Sequence, residues 1–536
     1  MERFADYVFV NGELVTVDAA GRIAEALAVG GERILAVGAN EHVRPWVGPN
    51  TTVVDLGGRT VLPGLIDAHA HLVLYGTCRL SVDCKAPYIR SLDDLLRELA
   101  RAAAATPKGR WIRAFGFNET KIAERRFPHR RELDAVTTDH PVYVERACGH
   151  VGAVNSRGLM LAGIDRDTAD PQGGVIERDA DGEPTGKLIE TALTYLDGKM
   201  DFSRDEVMRG LGIASAEFAA NGITSVHDAG ADSPEQFRWL FEAVEAGIVK
   251  QRIYAMVATM NHSDRFVDRM VAAGIRTGMG DHRFRIGPAK VFVDGSSSAP
   301  TLATREPYMS DPGNSGLLYY TQEQLNRVLG DAHAAGFQIT AHAQGDRAIG
   351  MLLDCIEAAL AEHPRADHRH RIEHAGLTAP DLLPRMQRLG VIPVANPAFF
   401  HEYGDGYVVN LGERAEHMYP LRSFVEYGIP AAAGSDCPVT VCNPFLGMFQ
   451  AMHRLSETGR TIGEAQRIGL MDAIRLFTIH AARASFEETV KGSLEPGKLA
   501  DVVVLDRSLL TAPAAEIRDV RVEATMIGGT FVYGRP

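Results

Sequence analysis

Val61-Leu62-Pro63-Gly64-Leu65-Ile66-Asp67-Ala68-His69-Ala70-His71-Leu72 is an apolar run that closes in His-Ala-His and then turns apolar again. Along an extended strand successive side chains alternate faces, so His69 and His71 point the same way. Two imidazoles converging from one rigid strand end can hold a metal ion between them. Asp67 shares their face, either as a further ligand or only as an orienting partner. For the dipeptide repeat alone, two satisfied histidines at a strand end are the better explanation. The weight comes from the residues downstream.

Those residues alternate strand and helix patterns. Strand signals fall at Gly222–Asp228, Arg252–Val257, Phe284–Gly295, Gln338–His342, His370–His374, Val391–Ala395 and Pro430–Asp436. Helical periodicity covers Asp205–Ala220, Pro234–Ala246, Gln322–Ala335 and Asp346–Glu362. With the His-Ala-His strand this makes eight β–α units, which predict a parallel sheet closed as a (β/α)8, TIM-like barrel. Short strands flank it: Tyr7–Val10, Glu13–Val17, Ala26–Val29 and Ile34–Val37 before, then Asp501–Leu505, Ala524–Ile527 and Thr530–Tyr533 after. They predict one small β-sandwich built from residues 1–60 and 488–536, with the barrel over 61–487. Between the first two barrel strands, residues of about 77–202 are too many for a barrel connection. They hold a helix pattern at Leu92–Ala105, a strand at Val142–Val144 and a turn-rich run over 173–186. An inserted substrate-side subdomain is expected there, following the strand end at which barrel sites form.

Composition narrows the function. Hydrophobic content of 45% and charged content of 23% are those of a soluble globular chain. A net charge of −13 with no basic cluster argues against a nucleic-acid partner. The start, Met1-Glu2-Arg3-Phe4-Ala5-Asp6, lacks the apolar core of a signal peptide, and no apolar run is long enough to cross a bilayer. Six cysteines without a CxxC pair do not suggest a disulfide scaffold, so a reducing, cytoplasmic address is expected.

Polar residues gather at the strand ends. His69 and His71 end the first strand, Lys290 lies on the fourth, His342 ends the fifth, His374 the sixth and Asp436 the eighth. Taken singly, a strand histidine is more often structural, Asp436 could cap a turn and Lys290 could snorkel. Taken together, four histidines and an aspartate at one end of a barrel point to a divalent metal site. Imidazole and carboxylate donors suit zinc, with manganese or iron(II) as other candidates.

Several stretches resemble the metal-dependent amidohydrolase superfamily, in its branch of YtcJ-like proteins and N-substituted formamide deformylases. They are Val61–His71, Lys290–Ser296, His342–Ala348, Arg371–Ala375, Gly434–Val439 and Gly492–Asp501, with Gly149–Ser156 and 173–186 in the insertion. The resemblance implies that His69 and His71 bind a more buried ion and His342 and His374 a more exposed one. It implies Lys290 as a carboxylated lysine bridging them, or an ordinary amine if one ion is held. A bound ion lowers the pKa of its water from about 15.7 toward 7, giving hydroxide at neutral pH. Asp436 is then the proton shuttle to the leaving amine, and His150 a donor to the oxyanion.

The implied activity is hydrolysis of a C–N bond in a small amide, with an N-substituted formamide as one candidate. Ester, carbamate or lactone hydrolysis, deamination, and a non-catalytic metal-binding regulatory role are the alternatives. A homodimer is the implied assembly. Two segments depart from the relatives' pattern: Ala114–Glu119, where they often have a Trp-rich stretch, and Ala395–His401, where they commonly show Gln-Pro. Both are expected to line the substrate pocket. Phe115, Phe117, Phe292, Phe399 and Phe400 favour an apolar or aromatic group there, though most suit a core equally.

Overall fold

The computed structural model describes residues 4–85, 88–147, 149, 151–171, 174–230, 233–259, 265–297 and 300–536. Eight parallel strands pair in chain order: Leu65–Ala70, Ile223–Asp228, Arg252–Thr259, Phe284–Phe292, Ile339–Ala343, Arg371–His374, Ile392–Ala395 and Ala432–Ala433. The first and last also meet. Asp436 N–H donates to the His69 carbonyl at 2.7 Å, and His71 N–H to the Cys437 carbonyl at 3.0 Å. Gly434 permits that approach, because a β-carbon there would lie 2.4 Å from the His69 nitrogen. The expected (β/α)8 barrel is therefore the core of the chain.

Burial sets which way each side chain faces. Ile66 and Ala68 pack outward with Ile392, Val394 and Ala432 against helix Ile479–Ala484. Alternation then turns Asp67 and His69 inward. The helices between strands start where local chemistry dictates. Ser233 accepts from the Gln236 N–H with Pro234 at the first helical position, and Thr321 and Gln324 cap each other reciprocally.

Two further sheets come from both ends of the chain. One runs Arg33–Gly38, Ala26–Gly30, Tyr7–Val10, Thr52–Asp55. The other runs Thr530–Tyr533, Val522–Ile527, Val502–Leu505, Thr60–Pro63, Glu13–Val15, Ile23–Ala24. Their inner faces share one apolar core, including Phe9, Leu27, Val61, Val504 and Met526. The strand expected over Glu13–Val17 stops at Val15. Val17 adopts φ 55°, a left-handed conformation incompatible with a strand.

Residues Val73 to Ile213 form a compact unit of their own. Its sheet runs Gly174–Arg178, Pro184–Glu190, Val151–Val154, Val142–Arg146, Ile112–Phe117, Val82–Asp83. Helix Leu92–Ala105 buries Leu92, Leu95 and Leu99 against Ile112, Ala114 and Val142. The turn-rich run over 173–186 proves, in its described part, to be a hairpin whose turn lies between Arg178 and Pro184. No helix among the described residues is long and apolar enough to cross a membrane.

Candidate metal centre

The six residues expected to hold metal meet at the C-terminal mouth of the barrel. His69 Nε2 lies 3.4 Å from Asp436 Oδ1 and 3.4 Å from Lys290 Nζ. His71, one residue past the first strand, brings its Nε2 to 3.3 Å from the same carboxylate oxygen. Ligand atoms of His69, His71 and Asp436 all fall within 4.8 Å of one another. The His374 ring centre is 4.7 Å from that of His69 and 4.4 Å from that of His342.

Each imidazole is held from behind by its Nδ1. His69 Nδ1 meets Glu373 at 2.5 Å, His71 Nδ1 the Gly230 carbonyl at 3.3 Å and His342 Nδ1 the Asp294 carboxylate at 3.1 Å. His374 Nδ1 meets Asn396 Oδ1 at 2.7 Å, and the Asn396 amide is oriented by donating to the Gly434 carbonyl at 3.0 Å. All four partners are acceptors, so each Nδ1 bears the proton and each Nε2 keeps its lone pair. This is how metal-ligating histidines are oriented, so the residues present fit a metal.

Glu373 is itself supported. Arg371 donates to both of its oxygens at 2.8 and 3.0 Å, and Thr340 to one at 2.8 Å. Burial alone would raise the Glu373 pKa, but the Arg371 guanidinium and His69 hold it well below the carboxylate range. Lys290 is wholly buried, and loss of solvation lowers its ammonium to about 8 against the pull of Glu373 and Asp436. Against burial, which raises it, hydrogen bonds from His69 and His71 hold the Asp436 pKa well below the usual carboxylate range; a bound cation would replace those protons. Asp67 is not among the clustered ligand atoms. It accepts from the Ser435 backbone and hydroxyl and from the His69 N–H, tying the first strand to the turn that carries Asp436.

The chain reaches this arrangement through strained backbone. His374, Ala375 and Asp436 have φ of 71°, 47° and 55°, in the region that favours glycine. At His374 the departure breaks strand alternation, so Glu373 and His374 can both reach the centre from adjacent positions.

The aromatic residues fall in different places. Phe292 stacks on His342 with ring centres 5.5 Å apart, and Phe399 lies 6.3 Å from His374. Phe400 is fully buried, with the Arg454 guanidinium 4.1 Å over its ring. Phe115 and Phe117 belong to the inserted unit; Phe117 packs in its core beside Phe127, and Phe115 is half-buried. His150 lies outside the described residues. Asn396, expected to line a substrate pocket, is instead wholly buried behind His374. Sequence reading also missed Glu373, Arg371 and Asp294 as supports. One signal was available: Arg371 and Glu373 place two charges two apart in a strand otherwise bound for burial.

Imidazoles converging on a buried lysine and aspartate at the mouth of a parallel barrel define the class of metal-dependent hydrolases. The chain belongs to the amidohydrolase family, whose family model matches residues 52–533. It is 32% identical to the N-substituted formamide deformylase of Arthrobacter pascens, over 100% of this chain and 99% of that one. It is 29% identical to the putative amidohydrolase YtcJ of Bacillus subtilis (strain 168), over 98% and 99%. An uncharacterised metal-dependent hydrolase from Pyrococcus horikoshii, 26% identical, superposes with a TM-score of 0.79 over 95% of this chain and 99% of that one. The protein is accordingly a hydrolase acting on C–N bonds of a small-molecule substrate.

Proposed function

We propose that the protein hydrolyses an N-substituted amide, a formamide with an apolar or aromatic N-substituent being the favoured substrate, at a two-ion zinc centre. The carrying observation is that all four Nδ1 atoms are engaged, which leaves four Nε2 lone pairs beside one carboxylate and one buried lysine. Mixed imidazole and carboxylate donors favour zinc over manganese or iron(II). On this reading His69 and His71 would hold one ion, His342 and His374 the other, and Lys290 would serve both as its carbamate.

Bound ions would polarise the substrate carbonyl and make water acidic enough to attack near neutral pH. Asp436 takes the proton of the attacking water and returns it to the leaving nitrogen, so the C–N bond breaks to a neutral amine. Its low pKa keeps it in the proton-accepting form. Phe292 and Phe399 beside the outer histidines form an apolar wall for the N-substituent. The name of the Arthrobacter relative supports the formamide assignment. Free thiols at Cys84, Cys355 and Cys437 support a reducing, cytoplasmic setting, and a homodimer completes the proposal.

The test pairs elemental analysis with turnover of N-benzyl and N-aryl formamides, acetamides, esters and carbamates. Two zinc ions per chain and preferred formamide turnover are expected. Asp436→Asn should retain metal while kcat falls by about 10²–10⁴. A metal-free active protein, or turnover indifferent to Asp436, overturns the assignment.

A further inference from the structure

Asp294 takes no part in that chemistry, yet its buried carboxylate holds four hydrogen bonds at the edge of the centre. Oδ1 accepts from His342 Nδ1 at 3.1 Å and from the Gln344 N–H at 2.9 Å. Oδ2 accepts from the Ala303 N–H at 2.9 Å and the Gly345 N–H at 2.8 Å. Ala303 belongs to the connection leaving the fourth barrel strand, whereas Gln344 and Gly345 leave the fifth. One side chain therefore ties two connections to each other and to an imidazole. Gly345 makes the approach possible, since a β-carbon there would lie 1.9 Å from the Ala303 carbonyl oxygen.

The donor count explains why this position needs a carboxylate. Both oxygens receive two donors each, so only an acceptor-only group satisfies all four. An asparagine would set its own NH2 against two of them. Facing an acceptor-only partner, His342 must keep its proton on Nδ1. Its neighbour His374 is held by a neutral amide instead, through Asn396. The outer imidazoles thus have unlike supports, and an anion behind a ring raises its basicity as a ligand.

We infer that Asp294 is a positioning residue that fixes the metal-facing form of His342 and couples the seating of the Ala303 turn to occupancy of the outer ion. The inference rests on the two-ion reading above. Asp294→Asn and wild-type protein, each loaded with zinc, are equilibrated with graded chelator and their metal content measured. The variant is expected to bind one of its two ions ten- to a hundredfold more weakly, with the other unchanged. Melting is followed with and without zinc. The zinc-induced rise in Tm should shrink in the variant, because stabilisation follows the logarithm of affinity. Equal chelator sensitivity of both ions to those of wild type, or the same Tm loss with and without zinc, marks a merely structural residue and overturns the inference.

A crystal structure of the zinc-loaded wild type supplies a test independent of whether the variant folds. Zinc on His342 Nε2, with Asp294 still on Nδ1, is expected. Zinc on Nδ1, or on Asp294 itself, refutes the inference while leaving a metal centre in place. A wild-type protein that binds no zinc refutes the two-ion reading and this inference together.

Discussion

Lys290 reaches the barrel interior with its amine 3.4 Å from His69 Nε2 and 4.7 Å over the Phe292 ring. An exposed lysine titrates near 10.4 and is almost wholly protonated at pH 7. Burial brings this one to about 8, so roughly one amine in ten is neutral at that pH. Only the neutral amine adds CO2, and its share grows with pH up to its pKa. At constant dissolved CO2, zinc reconstitution of the metal-free protein should therefore quicken about tenfold per pH unit below 8 and level off above. On the proposed two-ion centre, Lys290→Met should abolish both the CO2 dependence and uptake of the second ion. Stopped-flow zinc uptake with and without bicarbonate reads both effects. At this scale the sequence displayed the ligand types but not their supports. Asp294 and Asn396 are 48 and 22 residues from the histidines they hold, and no local pattern joins them.

Strands and turns deliver these side chains. The alternation legible in Asp67-Ala68-His69 survives in the structure, because a strand buried on both faces leaves no freedom of register. Alternation fails at the end of the sixth strand, and the strand expected over Pro430–Asp436 stops at Ala433. His374, and Asp436 in the turn after Ala433, take left-handed conformations at about 1–2 kcal/mol each. Sequence cannot report that strain, because it persists only where the surrounding packing over-determines it. Gly434 shows the same limit: it reads as an ordinary turn glycine, yet it lets the eighth strand close against His69. Gly434→Ala would drive a β-carbon into backbone, which neighbouring side chains cannot relieve. Expected are a stability loss of about 1–3 kcal/mol by urea denaturation and less than the wild-type zinc content.

Over the whole molecule, the barrel and the sheets built from the chain ends behave as one body. Arg252, at the start of the third barrel strand, forms a buried bidentate pair with Asp501 at 2.8 and 3.0 Å. Thr525 donates to the Ala219 carbonyl at 2.7 Å, and Gly64 alone separates strand Thr60–Pro63 from the first barrel strand. Arg252→Met would strand the Asp501 carboxylate in a buried setting, costing about 3–5 kcal/mol. Calorimetry should show one lowered transition for barrel and terminal sheets together, with the metal content of the folded protein unchanged.

The order of eight strands, the residue types at their ends and the two-ended origin of the flanking sheets were present in the sequence, because hydrophobic period and turn chemistry are local properties. Tertiary structure alone decided which acceptor stands behind each imidazole, which residues leave the regular backbone to reach the centre, and that Asn396 lies behind His374 rather than before a substrate. Those outcomes depend on contacts between segments tens to hundreds of residues apart, where a polar group is satisfied only once the barrel has closed around it.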